Sequence, residues 1–276
     1  VNPLALGMAL AAAFLHVVWN LIVKVSSDRL VAAFTVSAGG ALLNLPVLAV
    51  VGLPDRRVWG LVMLSAVVQT FYMVLLSKAY EKGDMSFVYP VARGFAPLLV
   101  TGAGVLLLGD RVGAGGAVGV LVVMIALAAL ATGRNDRSGL GWALATGLSI
   151  ATYTTIDAAA SRIEGSAIPV VGAMFVVHSV LMGGYVAMVR GPGSLVEMFT
   201  RAPLRSLAAS VGSASGYLLF MSAAVMAPVG LVAAIRETSV VLGVLAGRRF
   251  LAEQVTRLHW IAVGCAALGT ILIGTS

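Results

Sequence analysis

The sequence predicts an all-α integral membrane protein, with ten transmembrane helices arranged as two inverted five-helix repeats. Three observations predict it. The 276 residues are 60% hydrophobic and only 11% charged, with a mean hydropathy of +1.02, whereas soluble domains carry about 25% charged residues. The apolar runs are continuous and about 20 residues long, as a helical span requires, and lack the alternation of a membrane β-barrel. The halves also share a weak repeat: sliding the chain so that Arg93 falls on Arg236 brings Asp110 onto Glu253, with Gly119 and Gly264 following at similar distances.

Each span follows from an apolar run and its punctuation. Residues 1–23 carry no charge and make the first, reading as a span rather than a cleavable leader. Residues 30–53 make the second, ending before Pro54-Asp55-Arg56-Arg57, and residues 58–77 the third. The fourth runs from Met85 to Leu108 with one charge, Arg93, and the fifth covers 112–133. The sixth covers 138–160, with Asp157 near its end, close to Arg162 and read as interfacial. The seventh lies within 165–189. The stretch 206–247 is too long for one span and breaks at Ala227-Pro228-Val229-Gly230, giving the eighth and ninth. Residues 258–276 make the tenth. The repeats divide as 1–137 and 138–276, one integrated membrane domain, with connections too short for a soluble domain.

An odd number of spans per repeat obliges the second copy to cross in the opposite sense. Charge supports this. Lys24, Arg29, Lys78, Lys82, Arg134, Arg137, Arg190, Arg201, Arg205, Arg248, Arg249 and Arg257 fall on one side, and only Arg56, Arg57, Arg111 and Arg162 on the other. The positive-inside rule places the first group in the cytoplasm of an inner (plasma) membrane, so both termini lie outside. The net charge of +7 therefore reflects basic loops facing anionic lipid, not a nucleic-acid surface. One cysteine, Cys265, excludes an internal disulfide, and three histidines without an HExxH pairing offer no zinc site. No cofactor motif is present.

Several motifs, in order, resemble the drug/metabolite transporter superfamily in its EamA-type branch. They are His16-Val17-Val18-Trp19-Asn20-Leu21-Ile22-Val23-Lys24, then Tyr89-Pro90 and Ala96-Pro97, then Leu108-Gly109-Asp110, and in the second half Leu251-Ala252-Glu253 with Gly264. The resemblance covers nearly the whole length. It implies a ten-helix inverted-repeat carrier with a cavity between the halves, exporting amino acids, drugs or other metabolites. Asp110 stands where the family usually has Glu, and the charge bias of this chain reverses the orientation in which the family is commonly drawn.

The candidate substrate site begins with Arg93 and Arg236. Each lies near mid-depth of its helix, where an unpaired charge costs at least about 2.5–3.5 kcal/mol. A wet, substrate-facing cavity accounts for them; the alternative is a structural ion pair, for instance Arg93 with Glu237. Adjacent helical residues point about 100° apart, so Arg236 and Glu237 cannot both face one spot squarely. Glu237 is the candidate proton carrier, and the proton the candidate coupling ion. The remaining candidates are His16, Trp19, Asn20, Gln69, Tyr72, Tyr89, Phe95, Tyr153 and Tyr217, polar or aromatic groups on the first, third, fourth, sixth and eighth spans; packing or interface anchoring is the plain reading of each. His16 precedes Trp19 by three residues, on the same helical face. His178 reads as an interhelical hydrogen-bonder, and Asp110 and Glu253 as acids at the starts of the fifth and tenth helices. Gly109-xxx-Gly113, Gly115-xxx-Gly119 and Gly243-xxx-Gly247 permit close helix packing.

These residues point to a carrier of small zwitterions, amino acids with aromatic or bulky side chains among them: arginines for a carboxylate, Glu237 for an ammonium, rings for the side chain. A carrier of anionic or phosphorylated metabolites or of drugs is the alternative. An intramembrane enzyme is a distant one, because Gly212-Ser213-Ala214-Ser215-Gly216 has alanine where a nucleophile elbow needs serine. A passive assembly factor would not need charges at mid-membrane.

Overall fold

The structure, a computed structural model, describes residues 1–24, 26, 28–82, 85–130, 139–240, 242 and 257–275, and at a few helical positions, Tyr89 and Pro90 among them, the backbone alone. Glu253, Arg248, Arg249, Gly243, Gly247, Arg134 and Arg137 lie outside the described residues.

The described elements are helices: α1 Pro3–Lys24, α2 Arg29–Val51, α3 Trp59–Lys82, α4 Met85–Leu108, α5 Ala114–Leu130, α6 Leu140–Glu164, α7 Ala167–Arg190, α8 Ser194–Arg201, α9 Pro203–Met226, α10 Val229–Arg236 and α11 Arg257–Gly274, with a 3-10 turn at Arg56–Val58 before α3. Six are long and apolar enough to cross a membrane, and α5 and α11 contain shorter apolar stretches, Ala114–Ala129 and Trp260–Gly274. Helix ends follow local chemistry. Asn2 accepts from the N–H groups of Leu4 and Ala5 at 2.8 and 3.1 Å, starting α1. Asp28 does the same for Leu30 and Val31 at 2.9 and 3.1 Å, starting α2. Gly165, left-handed at φ 76°, ends α6.

Two expectations are corrected here. The sequence between the seventh and eighth spans, read as a plain connection, contains α8, whose sequence SLVEMFTR segregates Leu195, Val196 and Phe199 from Glu197 and Arg201. The ninth span, read as one apolar run, breaks at Glu237. The Glu237 N–H turns back to the Ala234 carbonyl at 3.1 Å, and helix resumes at Thr238.

The helices pack as pairs that cross between the halves. The largest contacts between the two halves are α5 with α11, α1 with α9, α3 with α6, α2 with α7 and α4 with α6, followed by α2 with α9, α3 with α7, α4 with α10 and α1 with α10. Exchanging α1, α2, α3, α4 and α5 for α6, α7, α9, α10 and α11 maps this set onto itself. Thus α1 on α9 becomes α6 on α3, and α4 on α6 becomes α10 on α1.

Small residues set several crossings. A Cβ on Gly119 would lie 2.7 Å from the Gly269 carbonyl oxygen, so α5 and α11 touch backbone to backbone. Gly119 was singled out from sequence; its partner Gly269 was not, and a Cβ on Gly264 would meet nothing. A Cβ on Gly230 would lie 2.4 Å from the Thr101 Cα, drawing α10 against α4.

The polarity of the molecule suits lipid. Leu106, Met188, Leu204, Val180, Ile125 and Ile271 face outward, while Arg93, Asp157, His178, Arg236 and Glu237 are buried. Every residue of α10 is buried, which makes it the central element of the second half.

Candidate substrate site

The site is built where α4, α10 and α9 meet. Arg93 on α4 reaches Glu237, the residue just past α10, through one charge-assisted hydrogen bond, Nε to Oε2 at 2.9 Å, and an ion-pair contact from Nη2 to Oε1 at 2.9 Å. Both residues are almost fully buried, at 4% and 2% exposed. The pairing weighed from the sequence as the structural alternative is therefore present, as a charge-assisted hydrogen bond reinforced by an ion-pair contact.

Arg236 takes a different course. It is the last residue of α10, is 5% exposed, and its guanidinium carbon stands 3.9 Å from the centroid of the Phe220 ring on α9. Its buried Nε has no hydrogen-bond partner among the described residues. The repeat explains the asymmetry. Arg93 and Arg236 occupy equivalent positions, but the position equivalent to Glu237 is Gly94. Two arginines share one carboxylate, and Arg93 holds both of its oxygens. The break after Arg236 also sits in the bundle interior, and irregular backbone at membrane depth is tolerated where protein buries it or a cavity lies beside it.

Around this centre lies an aromatic and polar wall. Tyr217 on α9 packs edge-on to Phe175 with centroids 6.2 Å apart, and tilted on Phe220 at 6.0 Å. Tyr72 on α3 and Tyr153 on α6 meet at 5.7 Å. His16 and Trp19 form an edge-to-face pair at 5.1 Å on α1, and the charges of both Arg93 and Arg236 act on His16. The Trp19 Cβ lies 3.5 Å from where a Cβ on Gly212 would stand, so this pair rides on α9. Phe95 is half-buried against Gly147 of α6.

Not every candidate converges. The Asn20 amide is spent on its own helix, donating to the His16 carbonyl at 2.7 Å. The Tyr89 side chain lies outside the described residues. Gln69 faces inward, donating to Ser65 Oγ and to Asp157 Oδ2, each at 3.2 Å.

Asp157 is the principal correction. Read as interfacial, it is 1% exposed, and it accepts from the Tyr217 hydroxyl as well as from Gln69. The helix runs on to Glu164, a full turn beyond the expected end, which carries Asp157 inward. Arg162 is instead tied to Asp110, Nη1 to Oδ1 at 2.7 Å, and to the carbonyls of Ala224 and Ala227, each at 3.0 Å. The other Asp110 oxygen accepts from the Val229 N–H at 2.8 Å. Asp110 thus caps α10, across the molecule, rather than the α5 that follows it in sequence. His178 meets Thr70 through Nδ1 at 3.2 Å, the interhelical bond expected of it.

A lipid-faced helical bundle with paired halves, a broken inner helix and buried arginines defines a polytopic membrane protein. The model of the EamA-like transporter family matches residues 2–132 and again 137–275, and the chain belongs to that family. A solved structure described only as "Crystal structure of protein" superposes with a TM-score of 0.75 at 16% sequence identity, covering 99% of this chain and 96% of that one. At that identity the likeness is one of fold. No curated protein matches the chain in sequence. As a member of this family the chain is a multi-pass membrane transporter of small molecules.

Proposed function

We propose that this transporter exports small zwitterionic metabolites, amino acids with aromatic or bulky side chains among them, by alternating access of two inverted five-helix halves. The observation that carries the reading is Arg236: a buried guanidinium on a Phe220 face, its Nε unpartnered among the described residues, beside an acid already held by Arg93. A buried cation of this kind is relieved by a substrate carboxylate. The rings of Tyr217, Phe175, Tyr72 and Tyr153 supply an apolar wall for a side chain and π faces for an ammonium.

The inverted ten-span arrangement is supported by contacts between connections. Asp28, after α1, pairs with Arg190, at the end of α7, at 2.8 Å. Asp55, after α2, donates its N–H to Glu164, at the end of α6, at 2.9 Å. The end of α1 thus shares a side with the end of α7, and the end of α6 lies opposite. With the basic connections in the cytoplasm, both termini lie outside it.

A second reading, transport of anionic or phosphorylated metabolites or of drugs, draws on the same asymmetry: with both Glu237 oxygens on Arg93, the cluster offers net positive charge. Uptake of a panel of labelled amino acids into proteoliposomes, with and without a pH gradient, separates the two. Saturable uptake of a bulky amino acid, lost in Arg236→Ala, is the expected result. Absence of amino-acid uptake, with saturable uptake of an organic anion, would transfer the conclusion to the second reading.

A further inference from the structure

Among the described residues, the buried acid without a cation is Asp157. Glu237 has Arg93, Asp110 has Arg162 and Asp28 has Arg190. Among the described residues no lysine, arginine or histidine lies within ion-pair distance of Asp157. Its Oδ2 receives two neutral donors, the Tyr217 hydroxyl and the Gln69 amide at 3.2 Å. Its Oδ1 is buried and has no hydrogen-bond partner among the described residues. An ionised carboxylate in such surroundings costs several kcal/mol unless its charge is answered.

Of the elements packed against α6, α3 brings Gln69 to Asp157 and α9 brings Tyr217. The cations those elements also carry at mid-depth are spent elsewhere: Arg93 of α4 is committed to Glu237 and His178 of α7 is bonded to Thr70, while Arg56 and Arg57 of the turn before α3 are exposed. On its own helix, Tyr153 lies one turn away and Arg162 is engaged by Asp110.

We propose that Asp157 is the reversible proton-binding site of the transport core, taking a proton at Oδ1 and releasing it from the same oxygen. A proton is the cation that needs no cavity, which fits an oxygen with essentially no accessible surface. The Tyr217 hydroxyl serves either state: it donates to the carboxylate, and it still accepts or donates when the acid is neutral. The site also touches the proposed substrate wall, since Tyr217 packs on Phe220, the ring under Arg236. Protonation of Asp157 and occupancy at Arg236 therefore act on one side chain. This inference rests on the transporter reading, and it displaces Glu237 as proton carrier because both Glu237 oxygens are already engaged.

Infrared titration of the full-length protein in lipid, around neutral pH and without substrate, tests it. The expected result is a protonated-carboxyl band that titrates reversibly, vanishes in Asp157→Asn and persists in Glu237→Gln. Tyr217→Phe, which removes a donor at Oδ2, should displace that band. Persistence of the band in Asp157→Asn, its loss in Glu237→Gln alone, or an undisplaced band in Tyr217→Phe overturns the proposal. Should Asp157→Asn not fold, Asp157→Glu serves: an unchanged band in that variant overturns it equally. The readout needs no substrate, so it succeeds or fails independently of the amino-acid panel.

Discussion

Arg93 and Arg236 stand at equivalent places in the two halves, yet their removal should have opposite consequences. Arg93→Ala strips Glu237 of its Arg93 hydrogen bond and its ion pair while leaving that carboxylate 2% exposed. Breaking a buried pair from one side costs about 3–5 kcal/mol. At roughly 2–4 °C per kcal/mol for a chain of this size class, Tm should fall on the order of 10 °C. Arg236→Ala removes a buried cation that stands 3.9 Å from the centroid of the Phe220 ring. That contact is worth about 2 kcal/mol when desolvated, and it is offset by relief of a buried charge that itself costs several kcal/mol. The net change in stability should be near zero while uptake is lost. The assay is heating of detergent-purified protein followed by size-exclusion chromatography, with uptake measured on the same preparations. Loss of monodisperse protein in Arg236→Ala, or a parental Tm in Arg93→Ala, would refute the division of roles. A double variant, Arg93→Met with Glu237→Leu, should regain most of the stability lost by Arg93→Ala, because an apolar pair leaves no buried charge.

Four further outcomes follow from the geometry. Asp110→Ala leaves Arg162 and the Val229 N–H without their acceptor, so thermal unfolding should show a loss of about 2–3 kcal/mol. Gly119→Val drives its side chain into the Gly269 backbone and Ile273; a destabilisation of about 1–3 kcal/mol is expected from the same heating assay. Asp28 is pushed up by partial burial, but the Arg190 guanidinium and the Val31 and Leu30 N–H groups together hold its carboxyl below the usual range. Its contribution is then complete above an unfolded value of about 3.9 and lost as pH falls through the lower folded value, so acid unfolding of Asp28→Asn should lack that component. Finally, in a Cys265→Ser background, a cysteine at Glu164 should react with an impermeant maleimide from outside the cell and one at Arg190 should not; the reverse pattern would invert the assigned orientation.

Six spans, and the shorter apolar stretches of α5 and α11, were legible because their cause is local. Twenty apolar residues reach across a bilayer whatever their neighbours do, and Asn2, Asp28, Gly165 and Pro203 start or stop helices through groups a few residues away. The repeat of Arg93 in Arg236, and the substitution of Gly94 where Glu237 would recur, were also present in the sequence. What only the tertiary structure decided is which buried group answers which. Arg93 and Glu237 are 144 residues apart, and nothing local distinguishes that pairing from one between Arg236 and its own neighbour. Asp157 was read as interfacial because it lies near the expected end of its span, close to Arg162, but the helix runs on to Glu164 and Arg162 is drawn away by Asp110 from the other half. Asp110 was read as serving the helix after it, while the free N–H it meets belongs to α10. Burial depth and ion pairing are set by how helices from both halves cross, and the amino-acid order of one helix does not contain the position of its neighbours.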